Sequence, residues 1–392
     1  MTIGIFTIHT GYNEGATLQA LALSLLIEEV AGEKAEIVDH RHTTQTEAHY
    51  GPPSNPRRRA IAQFRDSVLP LSPVRFVEDP RAAWAYARER YSAVVVGSDE
   101  IWKIAYRPRF RGLVQVQNDP LAPAFPNAYW PDASAGARRI AYAATAGTKT
   151  NWKRIPFFRK WQIANRLRGF TAVGLRDERT RAFLAAVAPE TAARSTRVPD
   201  PTLGYDLLPF ARDGIRASLA AMGVDFDRPR VVISAGRNPK VTALVAELNA
   251  QGFQTVAMSY PTEGVELDLS EAGLSPVEWA AAFGCFDLSI SDRMHGCIFS
   301  LRNLTPLIVL DARAATMGYP TKNGEIATRF GLDDFYFPLA ESRTSAGSLL
   351  DAALRATRGD WPRETVAARL ASEREIALGF LGAAFGAKAA VV

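Results

Sequence analysis

At 392 residues the chain is too long for a single hydrophobic core and is expected to form two domains of ordinary size. Apolar residues at 47% and charged residues at 22% describe a globular protein and exclude a disordered or membrane-spanning one. A net charge of +5 favours small anionic partners such as phosphates and carboxylates, and is too diffuse for nucleic acid, which requires a concentrated basic face. Two cysteines, Cys285 and Cys297, leave no disulfide framework and no cysteine-built zinc site; both lie in apolar surroundings and read as core. No metal or cofactor motif is present, so neither is expected.

The chain opens on Thr2–Ile8, expected as a buried strand, with no charged segment or cleavage site of a secretory signal before it. Helix is expected over Ala16–Ala31 and strand over Ala35–Asp39. The apolar part of that helix, Leu18 to Ile27, is about half the length that spans a bilayer, and a cytoplasmic location is expected. Pro56–Val68 and Pro80–Tyr91 read as helices, the first opening on Arg57, Arg58 and Arg59 as a solvated basic face. Strands follow at Ala93–Val96, Ile140–Ala144 and Thr171–Leu175, with a basic helix over Ile155–Phe170. Between residues 103 and 137 the pattern dissolves into recurring prolines interleaved with Tyr106, Phe110, Phe125, Tyr129 and Trp130. Such an insertion either stacks its aromatics on sugar rings or pins itself to its own domain.

Short apolar strands separated by helices mark a parallel sheet covered on both faces, here over residues 1–205. Residues 197–204, with Pro199 and Pro201 bracketing Asp200, read as a hinge. The alternation then resumes over residues 206–360. Strands are expected at Val231–Ser234, Thr255–Met258, Leu288–Ser291 and Leu307–Leu310, and helices at Lys240–Gln251, Pro276–Phe286 and Met294–Arg302. Residues 361–392 form a helical tail whose apolar stretch, Leu378 to Gly386, either packs on the protein or touches a membrane surface. The fold class is therefore α/β, two Rossmann-like domains expected to face a cleft, with ligands at the carboxyl ends of the strands.

Three strand ends carry unusual residues. Asn13, Gly15 and Ala16 lie at a strand-to-helix turn suited to a phosphate or an acceptor, though the turn is neither a dinucleotide fingerprint nor a P-loop. Gly97, Ser98, Asp99 and Glu100 place an acid pair beside a glycine, either for general-base work on hydroxyls or as a helix cap. Arg293, Met294, His295 and Gly296 put a forked cation and a titratable ring at a helix start, where they can converge on one anion.

Taken together these motifs resemble the polysaccharide pyruvyl transferase family. Residues 13–20, Asn-Glu-Gly-Ala-Thr-Leu-Gln-Ala, are similar to its N-x-G-A-x-L-Q-A opening, and residues 96–102 to its V-G-S-D-x-x-W segment. Gly174 to Glu178 resembles its S-V-R-D/E strand end, Asp200 to Leu203 its D-P-x-L hinge, Arg293 to Gly296 its R-x-H-G, and Lys322 a lysine after the next strand. Gly174 stands for the usual Ser, Glu100 for the usual Gln, and the insertion at 103–137 has no counterpart. The resemblance implies a GT-B-like fold and transfer of pyruvate from phosphoenolpyruvate onto a sugar or lipid-linked glycan as a cyclic ketal, with phosphate released. It places Arg293 and His295 at the donor. The chemistry of the residues agrees: a donor with a carboxylate and a phosphate needs several cations, for which Arg293, Arg176, Arg237 and Lys322 are candidates. His295 is the expected acid, Asp99 or Glu100 the expected base. A nucleotide-sugar glycosyltransferase and a noncatalytic binding member of an assembly complex are the alternatives. Asp225-Phe226-Asp227 mimics the metal-binding D-x-D of another glycosyltransferase class but reads as turn chemistry.

Overall fold

The computed structural model describes residues 2–46, 50–109, 114–117, 122–136, 138–211, 213–312 and 318–386, at 106–109, 114–117 and 133 by the backbone alone. It divides into two compact units. The first comprises Met1–Pro53, Ala62–Tyr205 and Glu373–Val392; the second comprises Ser54–Ile61 and Asp206–Ser372.

The first unit holds a seven-stranded parallel sheet of β1 (Thr2–Phe6), β2 (Lys34–Arg41), β3 (Leu71–Val77), β4 (Ala93–Val96), β7 (Arg138–Ala144), β8 (Phe170–Leu175) and β9 (Thr196–Arg197). β5 (Tyr106–Arg109) and β6 (Val114–Gln117) form a separate antiparallel hairpin between β4 and β7. The sheet order is β3-β2-β1-β4-β7-β8-β9. Setting the hairpin aside, this is the doubly wound order, in which the chain turns back across the sheet between β1 and β4. The central strands are buried along their length because both faces are covered, which is why they read as continuous apolar runs.

The second unit repeats the arrangement with β10 (Arg230–Ser234), β11 (Gln254–Ala257), β12 (Leu267–Asp268), β13 (Leu288–Ser291), β14 (Leu307–Asp311) and β15 (Tyr336–Pro338), in the order β12-β11-β10-β13-β14-β15. Its reversal point lies between β10 and β13.

Several helices begin where the sequence supplies a cap. Asn13 caps α1 (Glu14–Ala31), which stops at Gly32 with φ 65°. Then come α2 (Pro56–Val68), α3 (Pro80–Arg90) capped by Asp79, α4 (Phe157–Leu167) and α5 (Glu178–Val187) capped by Asp177. In the second unit Asn238 caps α6 (Pro239–Ala250), a Ser275–Glu278 capping box opens α7 (Pro276–Ala282), and α8 spans Met294–Arg302. Thr321 caps α9 (Lys322–Arg329), and α10 (Ala346–Arg355) and α11 (Arg363–Phe385) close the chain.

Several expected elements coincide with those observed, among them α2, β4, β13 and α8, while α7 is shorter than expected and continues as a 3₁₀ turn over Phe283–Cys285. β3 is an addition. It is an edge strand containing Pro73 and mostly exposed, so neither apolar run nor alternation announces it. The described residues at the end of the 103–137 insertion pack against the first unit. Phe125, Tyr129 and Trp130 are buried, Trp130 stacks on Trp102 at 5.5 Å, and Phe125 meets Trp130 edge-on at 5.1 Å. These three pin the segment to its own unit; Phe110 lies outside the described residues. Cys297 is buried as expected, while Cys285 is only half-buried. From Glu373 on, α11 packs on the first unit: Ala377 and Leu381 are buried, Arg197 pairs with the buried Glu373, and Phe380 meets Tyr142 at 5.9 Å. No helix among the described residues is long and apolar enough to cross a membrane.

Candidate active site

Ligands of doubly wound sheets sit outside the carboxyl ends of the strands, at the reversal point. Both reversal points here are lined by residues singled out from the sequence. In the first unit, β1 leads to Asn13, and β4 leads to Gly97 through Glu100. Asn13 accepts the backbone N–H of Ala16 at 3.1 Å through its Oδ1, which caps the helix, while Gly15 and Ala16 are buried.

Gly97 has φ 146°, and a Cβ there would stand 1.8 Å from the Tyr142 carbonyl oxygen. Only glycine lets β4 end this close to β7. Ser98 is buried and donates to Gln19 Oε1 at 2.6 Å, which ties the strand end to α1. Asp99 follows with φ 78°, a conformation that costs a residue with a side chain roughly 1–3 kcal/mol and tends to persist at functional sites. Its Oδ1 accepts the Glu100 N–H at 2.8 Å. The Glu100 carboxylate pairs with Lys103 Nζ at 2.9 Å.

Arg176, expected among the donor cations, is placed in the first unit beside Asp99. It follows β8 and is buried. Its Nη1 bonds Asp200 Oδ2 at 2.9 Å and Gln19 Oε1 at 3.4 Å, and its Nη2 stands 3.7 Å from Asp99 Oδ1. Burial works against the charge, but Asp200 and Asp99 outweigh it and hold the guanidinium more firmly protonated than usual. The Asp200 carboxylate, 2% exposed, also caps Pro201–Gly204 through Thr202. Asp200, within the segment expected as a hinge, thus neutralises the arginine behind Asp99. Tyr129 lies close enough for Asp99 to add to the effect of burial in raising its hydroxyl pKa, so the pinned insertion stands near this strand end.

In the second unit the loops after β10, β13 and β14 converge through Asp292. Its Oδ2 accepts the Gly236 N–H at 3.0 Å, its Oδ1 lies 2.8 Å from Arg293 Nε, and its carbonyl accepts from Asn323 Nδ2 at 2.8 Å. Gly236 precedes Arg237, and Asn323 follows Lys322, so Arg237, Arg293, His295 and Lys322 share one edge of the sheet. Arg237 is exposed; the other three are half-buried. The Arg293 guanidinium also lies 4.0 Å from the centre of the Tyr260 ring, so it is held between a carboxylate and an aromatic face. Met294 and His295 form the first turn of α8. Gly296 has a packing reason: a Cβ there would stand 2.4 Å from Ser291 Oγ. Arg57 and Arg58 are half-buried rather than fully solvated, and Arg57 lies 6.0 Å from the Tyr260 ring.

Gln19, Asp292 and Tyr260 were not singled out as site residues. Gln19 falls within the resembling motif, and Asp292 adjoins one, whereas nothing in the sequence marks Tyr260. Asp225-Phe226-Asp227 is a turn, with Asp225 Oδ1 accepting the Asp227 N–H at 2.9 Å. Among the described residues no group of His, Cys, Asp and Glu is arranged to hold a metal ion.

Known proteins place this architecture. A UDP-GlcNAc 2-epimerase from Methanocaldococcus jannaschii superposes with a TM-score of 0.54 at 9% identity, covering 92% of this chain and 94% of its own. A Listeria monocytogenes protein described as a UDP-N-acetylglucosamine 2-epimerase does so with 0.50 at 12% identity, covering 97% and 94%. At such identities the likeness shows the fold alone: two parallel sheets with interleaved helices, a pair of Rossmann-like domains of the GT-B kind. No curated protein matches the sequence. The profile of the polysaccharide pyruvyl transferase family matches residues 13–312, a span that takes in Asp99, Arg176, Arg237, Arg293 and His295 but not Lys322, and the chain belongs to that family of transferases.

Proposed function

We propose that the protein transfers the pyruvyl group of phosphoenolpyruvate onto two hydroxyls of a sugar in a polysaccharide or glycan precursor, closing a cyclic ketal and releasing phosphate. The observation that carries this reading is the grouping of Arg237, Arg293, His295 and Lys322 at the second reversal point, in a chain of this family. The donor bears a carboxylate and a phosphate. Arg293, its fork fixed by Asp292 and Tyr260, suits one oxygen pair, and Arg237 and Lys322 supply the remaining charge.

His295 gives its proton to the methylene carbon of the donor, which becomes the methyl group, and the adjacent carbon takes up positive charge. A sugar hydroxyl adds to that carbon and loses its proton to Asp99. Phosphate departs with the electrons of its C–O bond, a second hydroxyl adds to the same carbon, and the phosphate carries off the last proton. Arg176 is a positioning residue in this scheme, its guanidinium standing 3.7 Å from the Asp99 carboxylate.

The test is phosphate release from phosphoenolpyruvate with a panel of sugars, with the ketal methyl group read by NMR. At ~100-fold excess over its dissociation constant, the donor should stabilise the protein by about 2.7 kcal/mol. Stabilisation by a nucleotide sugar in place of phosphoenolpyruvate would transfer the assignment to a glycosyltransferase. Donor binding without turnover on any acceptor would mark a binding protein.

A further inference from the structure

α4 carries large apolar side chains outward as well as inward. Ile163 and Leu167 turn inward, while the outward face carries Phe157, Phe158 and Trp161, exposed by 85%, 57% and 57%. Those are the three most exposed large apolar side chains among the described residues. On a helical wheel residues 157, 158, 161 and 165 share one side, opposite 163 and 167. Cations frame the aromatics: Lys153 and Arg154 are exposed just ahead of the helix, Arg159 and Lys160 are half-buried on its flanks, and Arg168 is exposed at its end. No Asp or Glu occurs from Lys149 to Arg176. The acids that approach from other elements, Asp132 at 3.5 Å from Arg166 and Glu190 at 3.8 Å from Arg168, lie at the far end of the helix from Lys153.

We infer that this face docks on an anionic lipid bilayer, with α4 lying in the plane of the interface, its aromatics at headgroup depth and its cations on lipid phosphates. Aromatic side chains backed by Lys and Arg, without acids, are the composition of interfacial helices. Trp is a residue that settles at the headgroup level. Charge selects this occupant over a second copy of the chain: a self-complementary contact would press the same cations against each other. The inference stands apart from the donor chemistry.

The full-length protein should co-sediment with vesicles of phosphatidylcholine containing phosphatidylglycerol, more weakly with phosphatidylcholine alone, and less in high salt. The triple substitution Phe157→Ser, Phe158→Ser, Trp161→Ser should lower partitioning at least tenfold. Each cation contributes roughly fivefold near an anionic surface, so Lys153→Glu with Arg154→Glu should lower it at least twentyfold. The melting temperature should not change in either variant, since the altered side chains are exposed. Of the seven tryptophans, the six other than Trp161 are buried. Quenching by brominated lipid should therefore be seen with the wild type and vanish in Trp161→Phe. Absence of binding to anionic vesicles, equal binding by the aromatic triple variant, or quenching that survives Trp161→Phe overturns the inference. So does a lipid-free dimer that the triple substitution converts to a monomer, which would assign the face to a second copy.

Discussion

Replacing Arg176 with methionine tests both the stability of the first unit and the charge arrangement behind Asp99. Methionine is similar in length, so little cavity is created; what is lost is the charge. Asp200, 2% exposed, keeps its bonds from Thr202 but loses the guanidinium at 2.9 Å, and Asp99 loses the one at 3.7 Å. Removing one partner of a buried ion pair costs about 3–5 kcal/mol, because the other charge is left without compensation in a medium that solvates it poorly. For a unit of this size each kcal/mol moves Tm by roughly 2–4 °C, so a fall of about 6–20 °C is expected by calorimetry. Adding Asp200→Asn removes the stranded charge and should recover part of the loss, with a coupling energy of about 1–3 kcal/mol. Phosphate release per folded molecule should fall ~10- to 100-fold in Arg176→Met, the scale of a mispositioned catalytic group. A Tm within 2 °C of wild type, or a double variant no more stable than the single one, would refute the reasoning.

At the second reversal point, Arg293→Lys should chiefly raise the KM for phosphoenolpyruvate, because the fork is lost and the charge kept. His295→Gln should lower kcat ~10²–10⁴-fold with donor binding and Tm preserved; a fall in Tm with normal activity per folded molecule would make His295 structural. His40 is buried with neither ring nitrogen hydrogen-bonded, and its ring centre is 4.5 Å from that of His42. Burial and the neighbouring His42 and His9 push its pKa down to about 3, against the raising pull of Glu78 and Asp79. The fold therefore favours the neutral ring, and this contribution is complete above pH ~6.5 and lost as pH falls towards the folded value, by up to 1.36 kcal/mol per pH unit. His40→Phe should then lose roughly 1.5 kcal/mol less than wild type between pH 6.5 and 5 in denaturant titrations, and parallel losses would show that another group governs the acid limb. Gly97→Ala must open the 1.8 Å approach to the Tyr142 carbonyl and hold φ near 146°, so it should lose more than about 4 kcal/mol or fail to fold; melting within a few degrees of wild type would contradict that geometry.

Composition, the alternation of apolar runs with capped helices, and the short motifs at strand ends were enough to indicate two α/β units, most central strands and the family. They sufficed because parallel strands buried on both faces leave an unmistakable apolar signature, and because residues that must meet a ligand at a strand end stay close to that strand in sequence. β3 left no such signature, since an edge strand with one solvated side and a proline has neither the burial nor the alternation that would reveal it. The purpose of particular residues was decided in three dimensions. Asn13 and Gly296 carry family motifs, and the fold also gives one a capping bond and the other clearance from Ser291. Arg176 reads as a free cation until Asp200, 24 positions away, is found against it. Tyr260 and the outward aromatics of α4 show the same limit. A sequence records that a side chain is apolar or charged, but whether it is covered, paired or left facing solvent depends on which distant segments the fold brings beside it.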